Sequence, residues 1–156
     1  MEIQLLVIII IMIACSAFFS ASETALTGAN RIRLKSMAEN GSKGAKMALK
    51  LLDRYDKVIT TILIGNNIVN ITASSLGTIL ATAVVGADNA ALVSTVVLTL
   101  VILTFGEVMP KSLAKDHSEG LTVATSGIIT FLTFIFTPLS ALFILLKKLA
   151  NKLFGN

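Results

Sequence analysis

Three apolar blocks, at about residues 3–22, 58–85 and 90–109, constrain this chain more than any other feature. Each approaches or exceeds the roughly 20 residues that a helix needs to cross about 30 Å of hydrocarbon. Only 14% of the 156 residues are charged and 54% are hydrophobic, whereas a soluble domain carries about 25% charged residues. The pattern predicts one compact transmembrane domain over residues 1–156, an all-α membrane protein with three transmembrane helices. Amphipathic juxtamembrane helices (about 30–57) and belt helices (about 119–153) are expected on its cytoplasmic side.

Charge sets the expected orientation. All 13 Lys and Arg fall in three places, Arg31 to Lys57, Lys111 with Lys115, and Lys147 to Lys152. Basic clusters beside apolar blocks mark the cytoplasmic side. The Gly86-Ala87-Asp88-Asn89 turn has no Lys or Arg and belongs outside. The chain is therefore expected in the cell membrane as a multi-pass protein, N-terminus outside and C-terminus cytoplasmic. The net charge of +4 is accounted for by these anchors and implies no nucleic-acid partner. The N-terminal block starts with Glu2 and lacks both a basic n-region and an A-x-A site, so it reads as a retained helix rather than a secretion signal.

Between the first two blocks, Asn40-Gly41 is a helix stop and Ser42 a cap for the next helix. Two short helices on the inner leaflet fit this segment, and a solvated helical hairpin fits equally. Leu121 to Thr137 has the hydropathy of a fourth span. A fourth crossing would put Lys147, Lys148 and Lys152 outside, against the charge rule, and Pro138 breaks the run. One or two apolar helices lying in the inner interface or wrapping the bundle are expected there instead.

The few polar residues in the spans are regularly spaced. Ser16, Ser20 and Glu23 share one face of the first helix, and Asn66, Asn70 and Ser74 share one face of the second, where GNNIVNI interrupts the apolar run. On the third, Gly106 and Glu107 precede Pro110. Proline lacks an N–H, so the carbonyl four residues earlier, that of Gly106, loses its helical partner beside the Glu107 carboxylate. Broken helices present backbone carbonyls to cations in this way. Hydroxyls, amide carbonyls, a backbone carbonyl and a carboxylate are all hard oxygen donors, which suit Mg²⁺. Na⁺ accepts the same ligand type. Zinc, copper or iron would favour His and Cys. His117, the sole histidine, lies in a polar stretch, and Cys15, the sole cysteine, allows no intrachain disulfide.

Blander readings stand beside this one. Ser and Asn at four-residue spacing also glue membrane helices together, and Glu107 could pair with Lys111. The alternative function is a non-transporting membrane anchor and dimerisation module for a regulatory cytosolic region. A proton-coupled drug transporter finds little aromatic lining, with no Trp and one Tyr. One His and one Cys assemble no nucleophile–base pair, so an enzyme is not expected.

In that order and at those separations, SAFFSASETALTGANRIRLK, LIGNNIVNI and GEVMPKSLAK resemble the transmembrane domain of the CNNM/CorC magnesium transporters over nearly the whole chain. The resemblance implies three spanning helices, a cytoplasmic belt at Leu121 to Leu149, an outside N-terminus and a homodimer in the lipid bilayer. It implies export of a largely dehydrated Mg²⁺ in exchange for Na⁺. The implied metal ligands are Ser20 with Ser16 or Ser22 nearby, Asn66 and Asn70, and Gly106 with Glu107. Family members usually continue into cytosolic CBS-type regulatory domains. Those are expected by resemblance but absent from this chain, which ends at Asn156 in a basic helix, as a piece of a longer polypeptide would.

Overall fold

The computed structural model describes residues 1–155, and every regular element among them is helical. In chain order they are α1 (Glu2–Gly28), α2 (Arg31–Glu39), α3 (Lys43–Asp53), α4 (Tyr55–Val85), α5 (Ala87–Val101), a π-helical segment (Ile102–Val108), α6 (Met109–Asp116), α7 (Ser118–Ile135) and α8 (Thr137–Phe154). The chain divides into two compact units, Met1–Ala21 with Gly65–Asp116, and Ser22–Ile64 with the chain from His117 onward.

The first unit is built inside-out relative to a soluble protein. Ser16 and Ser20 are fully buried and Ser94 nearly so, whereas Ile10, Val96, Leu100 and Phe105 are more than half exposed. Apolar side chains turned outward around a polar interior need hydrocarbon as solvent. Two contacts run α1 antiparallel to α4: Ser16 meets Asn66, and Phe19 lies over Gly65. At Gly65 a Cβ would collide with the Phe19 ring, so glycine is what lets the ring lie there. α4 and α5 form a second antiparallel pair, joined by Gly86 alone at φ +82°, a left-handed conformation that favours glycine. Helix α5 therefore starts at Ala87, and the expected four-residue turn contracts to one residue.

Two expected interruptions are absent. α4 runs unbroken for 31 residues through GNNIVNI, because the polarity lies in the Asn side chains and leaves the backbone undisturbed. The third apolar block does not stop at Pro110 either. It continues as one 30-residue rod from Ala87 to Asp116, with the π segment taking up the irregularity.

In the second unit, Asn30 caps α2 by accepting from the Ile32 and Arg33 amides (2.9 and 3.2 Å). Asn40 and Gly41 (φ +95°) end it, and Ser42 caps α3 by accepting from the Ala45 amide at 3.1 Å, as the sequence predicts. α3 buries Ala45, Ala48 and Leu51 on one face and packs along α7. The approach is close, since a Cβ on Gly44 would come within 2.9 Å of the Val123 carbonyl oxygen. Backbone cannot swing aside as a side chain does. Gly44→Ala is therefore expected to destabilise the protein by about 1–3 kcal/mol, read as a lower melting temperature in detergent.

Helix α7 corrects the expected count of spans. Four described helical stretches, not three, are long and apolar enough to cross a bilayer, the fourth being Ser118–Ile135. Its threonines are compatible with a span. Thr122, Thr125, Thr130 and Thr133 each donate to the carbonyl four residues earlier at 2.6–2.8 Å, which satisfies the hydroxyls within the helix. α7 ends at Ile135, and α8 restarts with Pro138 in its first turn, where a missing N–H costs nothing.

Candidate functional site

All six candidate ligands, Ser16, Ser20, Asn66, Asn70, Gly106 and Glu107, belong to the first unit. Three of them meet directly. Ser16 Oγ donates to Asn66 Oδ1 at 3.0 Å and lies 3.5 Å from the Gly106 carbonyl oxygen. Three elements, α1, α4 and the π segment, thus bring one oxygen each to a single buried point. The α4–α5 register explains the meeting: Thr78 bonds Ser94 at 3.0 Å, and twelve residues further along each helix (78 to 66, 94 to 106) stand Asn66 and Gly106.

Gly106 is buried, and its lack of a side chain is structural. A Cβ there would sit 2.9 Å from Ser16 Oγ and 3.3 Å from its Cβ. The π segment widens the turn in which this glycine stands, as the Met109 amide reaches back five residues to the Thr104 carbonyl. Pro110 follows and has no N–H to offer. Neither the α-type bond to Gly106 nor the π-type bond to Phe105 can form from it. The sequence shows the missing donor but not the π geometry, a distortion common at functional positions in helices. Gly106→Ala is expected to push Ser16 off Asn66, read as a lower melting temperature in detergent while the helical circular dichroism signal persists.

Ser20 and Asn70 flank this cluster by one turn on their respective helices. Because α1 and α4 are antiparallel, Ser20 lies toward one end of the unit and Asn70 toward the other, about 5–6 Å along the axis from the meeting point. Ser20 Oγ and Asn70 Oδ1 are both buried and have no hydrogen-bond partner. Buried polar atoms nearly always find a partner, and an orphan costs about 1–3 kcal/mol. The two atoms stand on either side of the three converged oxygens, too far apart for one cation to touch both, but each within reach of a water held by a cation at the meeting point.

Glu107 is half-buried beside Gly106, and its carboxylate takes no part in the cluster's hydrogen bonds. It is the only carboxylate between Asp88 and Asp116. Among the described residues no three His, Cys, Asp or Glu gather, so a cation here would rest on neutral oxygens and this one acid. Ser74 is exposed on the same face of α4 as Asn70. Glu23 and Ser22 fall in the other unit, where Ser22 Oγ is a third buried oxygen without a partner. His117 is exposed and Cys15 is half-buried.

Residues 7–156 match the cyclin M transmembrane N-terminal domain. The chain belongs to the CNNM family. Relatives within reach of this CNNM domain include a UPF0053 protein of Haemophilus influenzae, 41% identical over 151 residues, covering 97% of this chain and 36% of that protein. The UPF0053 inner membrane protein YfjD of Escherichia coli is 40% identical over 140 residues, covering 90% of this chain and 32% of its own length. A protein of Haemophilus influenzae named polyamine export protein is 26% identical over 158 residues, covering 94% of this chain and 37% of that protein. The chain spans about a third of the length of these relatives. It is an all-α membrane protein of the CNNM family, and the inward-turned Ser, Asn and Gly oxygens are the polar centre of its first unit.

Proposed function

We propose that this CNNM domain carries Mg²⁺ across the membrane, outward and coupled to Na⁺, as a homodimer with its N-terminus and the Gly86 turn outside. The observation that supports this reading best is the pair of buried, unpartnered oxygens, Ser20 Oγ and Asn70 Oδ1, flanking the Ser16–Asn66–Gly106 meeting point. Helix glue is satisfied by the bonds it makes; these atoms make none. A small divalent ion would gain from the Ser16, Asn66 and Gly106 oxygens and the neighbouring Glu107 carboxylate, with Ser20 and Asn70 reached through waters it retains. Mg²⁺ surrenders its water reluctantly, so the cluster would exchange waters for protein oxygens a few at a time.

The test is a melting series in detergent against Mg²⁺, Ca²⁺, Mn²⁺ and Na⁺, paired with flux into proteoliposomes loaded with a Mg²⁺-sensitive dye. Mg²⁺ at 100 times its dissociation constant is expected to stabilise by about 2.7 kcal/mol. No shift at any millimolar concentration, with no flux, defeats the transport reading and leaves the anchor and dimerisation module standing.

The relative named for polyamine export favours a second reading, in which the cargo is an organic polycation. Ammonium groups could bond the same carbonyls and pair with Glu107. Spermidine in the same melting series separates the two: stabilisation by spermidine but not Mg²⁺ selects the organic cargo.

A further inference from the structure

The stripe on α4 does not stop at the candidate cation site. Asn66, Asn70, Ser74 and Thr78 follow one another at four-residue spacing on one face, and from Asn70 onward that face opens on a groove of about 270 Å³. Across the groove, α5 contributes Ser94, Thr95 and Thr99, above an apolar floor that includes Leu98 and Ile102. Asn70 stands midway along α4 (Tyr55–Val85). The groove therefore leads from the middle of the span toward the Gly86 end.

We infer that this hydroxyl-lined groove between α4 and α5 is the outward leg of the ion's path, and that the Thr78–Ser94 hydrogen bond is the contact that closes it. The inference rests on the cation-transport reading above.

Three observations carry it. First, Asn70 belongs to both places: it lines the groove, and its Oδ1 is the buried, unpartnered oxygen next to the Ser16–Asn66–Gly106 cluster. Second, the volume suits a rehydrating ion. At about 30 Å³ per water, the groove has room for about nine, enough for a divalent cation to regain waters one at a time while hydroxyl oxygens replace the rest. Third, the far end is shut by small residues. Ser94 is almost fully buried and meets Thr78 at 3.0 Å. Beside them Gly77 lets the helices touch, since a Cβ there would come within 3.1 Å of Leu98 Cγ.

Threonines in a membrane helix often do no more than bond their own backbone, and Thr78 does donate to the Ser74 carbonyl at 3.1 Å. With that proton spent, Ser94 donates in the Thr78–Ser94 contact in place of its alternative acceptor, the Ala91 carbonyl at 3.2 Å, and Thr78 keeps one lone pair. Here six polar side chains from two helices face one space. A single neutral hydrogen bond at the end is a closure that a modest separation of α4 from α5 releases.

The test uses Thr78→Cys with Ser94→Cys in a Cys15→Ala background, in proteoliposomes. Oxidation to a disulfide is expected to cut Mg²⁺ flux about tenfold or more, and reduction to restore it. Mg²⁺ must stabilise oxidised and reduced protein equally in a thermal melt, because the inner site is untouched. Cross-linked protein that transports at the reduced rate overturns the inference. A second variant, Ser74→Leu, places an apolar side chain in the groove. It should lower flux about tenfold or more by dewetting while leaving Mg²⁺ affinity unchanged, and unchanged flux again overturns it. Loss of Mg²⁺ stabilisation in the Cys15→Ala parent points instead to failure of the cation site itself, and the groove then has no ion to conduct.

Discussion

Replacing Glu107 by alanine is expected to abolish Mg²⁺ transport while the protein still folds and assembles. The remaining oxygens, from Ser16, Ser20, Asn66, Asn70 and the Gly106 carbonyl, are all neutral. A doubly charged ion in a medium of low dielectric needs at least one counter-charge nearby, and no other carboxylate lies between Asp88 and Asp116. Even partners that only orient metal ligands cost about 10–100-fold in affinity when removed. Losing the one acidic ligand should cost roughly 100-fold or more. Glu107 is only half-buried, so its removal leaves no large cavity and no stranded partner. Size-exclusion elution and helical content should therefore match the wild type. Glu107→Gln keeps the shape and removes only the charge. Its transport should be lost equally, and retained transport in either variant contradicts the site.

Second in size is a pair of variants that separates ligand from glue by the sign of a stability change. Asn70→Leu and Ser20→Ala each remove a buried oxygen that has no hydrogen-bond partner. Deleting a polar group that makes no hydrogen bond should leave the metal-free protein as stable as before, or raise its stability by about 1 kcal/mol. Both variants should nevertheless lose most of the Mg²⁺-dependent rise in melting temperature, with at least about tenfold weaker binding. Interhelical glue predicts the reverse: metal-free stability falls and no ion response changes. Asn66→Ala is the useful contrast. Asn66 accepts from Ser16 at 3.0 Å, so its loss should cost the metal-free protein about 0.5–1.5 kcal/mol as well as the ion.

Much of this was legible before any coordinates. The spacing Ser16–Ser20 and Asn66–Asn70 put both pairs on one helical face, and the faces do turn inward. Gly106 was marked by its place four residues before Pro110, and its carbonyl does stand beside Ser16. Apolar blocks gave the first three spans to within a turn or two. Helix ends at Asn40 and Ser42 followed from capping chemistry, whereas the Asn30 cap emerged only from the structure.

What escaped did so for physical reasons. Hydropathy marked Leu121 to Thr137 as a possible span, and its threonines spend their protons on the helix backbone. The charge rule then argued against a fourth span, although Ser118–Ile135 is long and apolar enough for one. A proline was read as a break, but widening into a π segment lets the rod continue. The groove between α4 and α5 depends on register. Nothing in the sequence pairs Thr78 with Ser94 until the Gly86 turn fixes how the two helices face each other.

The most direct measurement is the location of the ion. Crystals grown with Mn²⁺ in place of Mg²⁺ should give an anomalous peak inside the first unit, between α1, α4 and the π segment, within about 2.0–2.3 Å of side-chain and carbonyl oxygens. Ser20 Oγ and Asn70 Oδ1, one turn to either side, should be bridged to it by water. A peak confined to the basic surface around Arg31 to Lys57, or none at all from protein whose melting temperature rises with Mn²⁺, would contradict a cation site at this cluster.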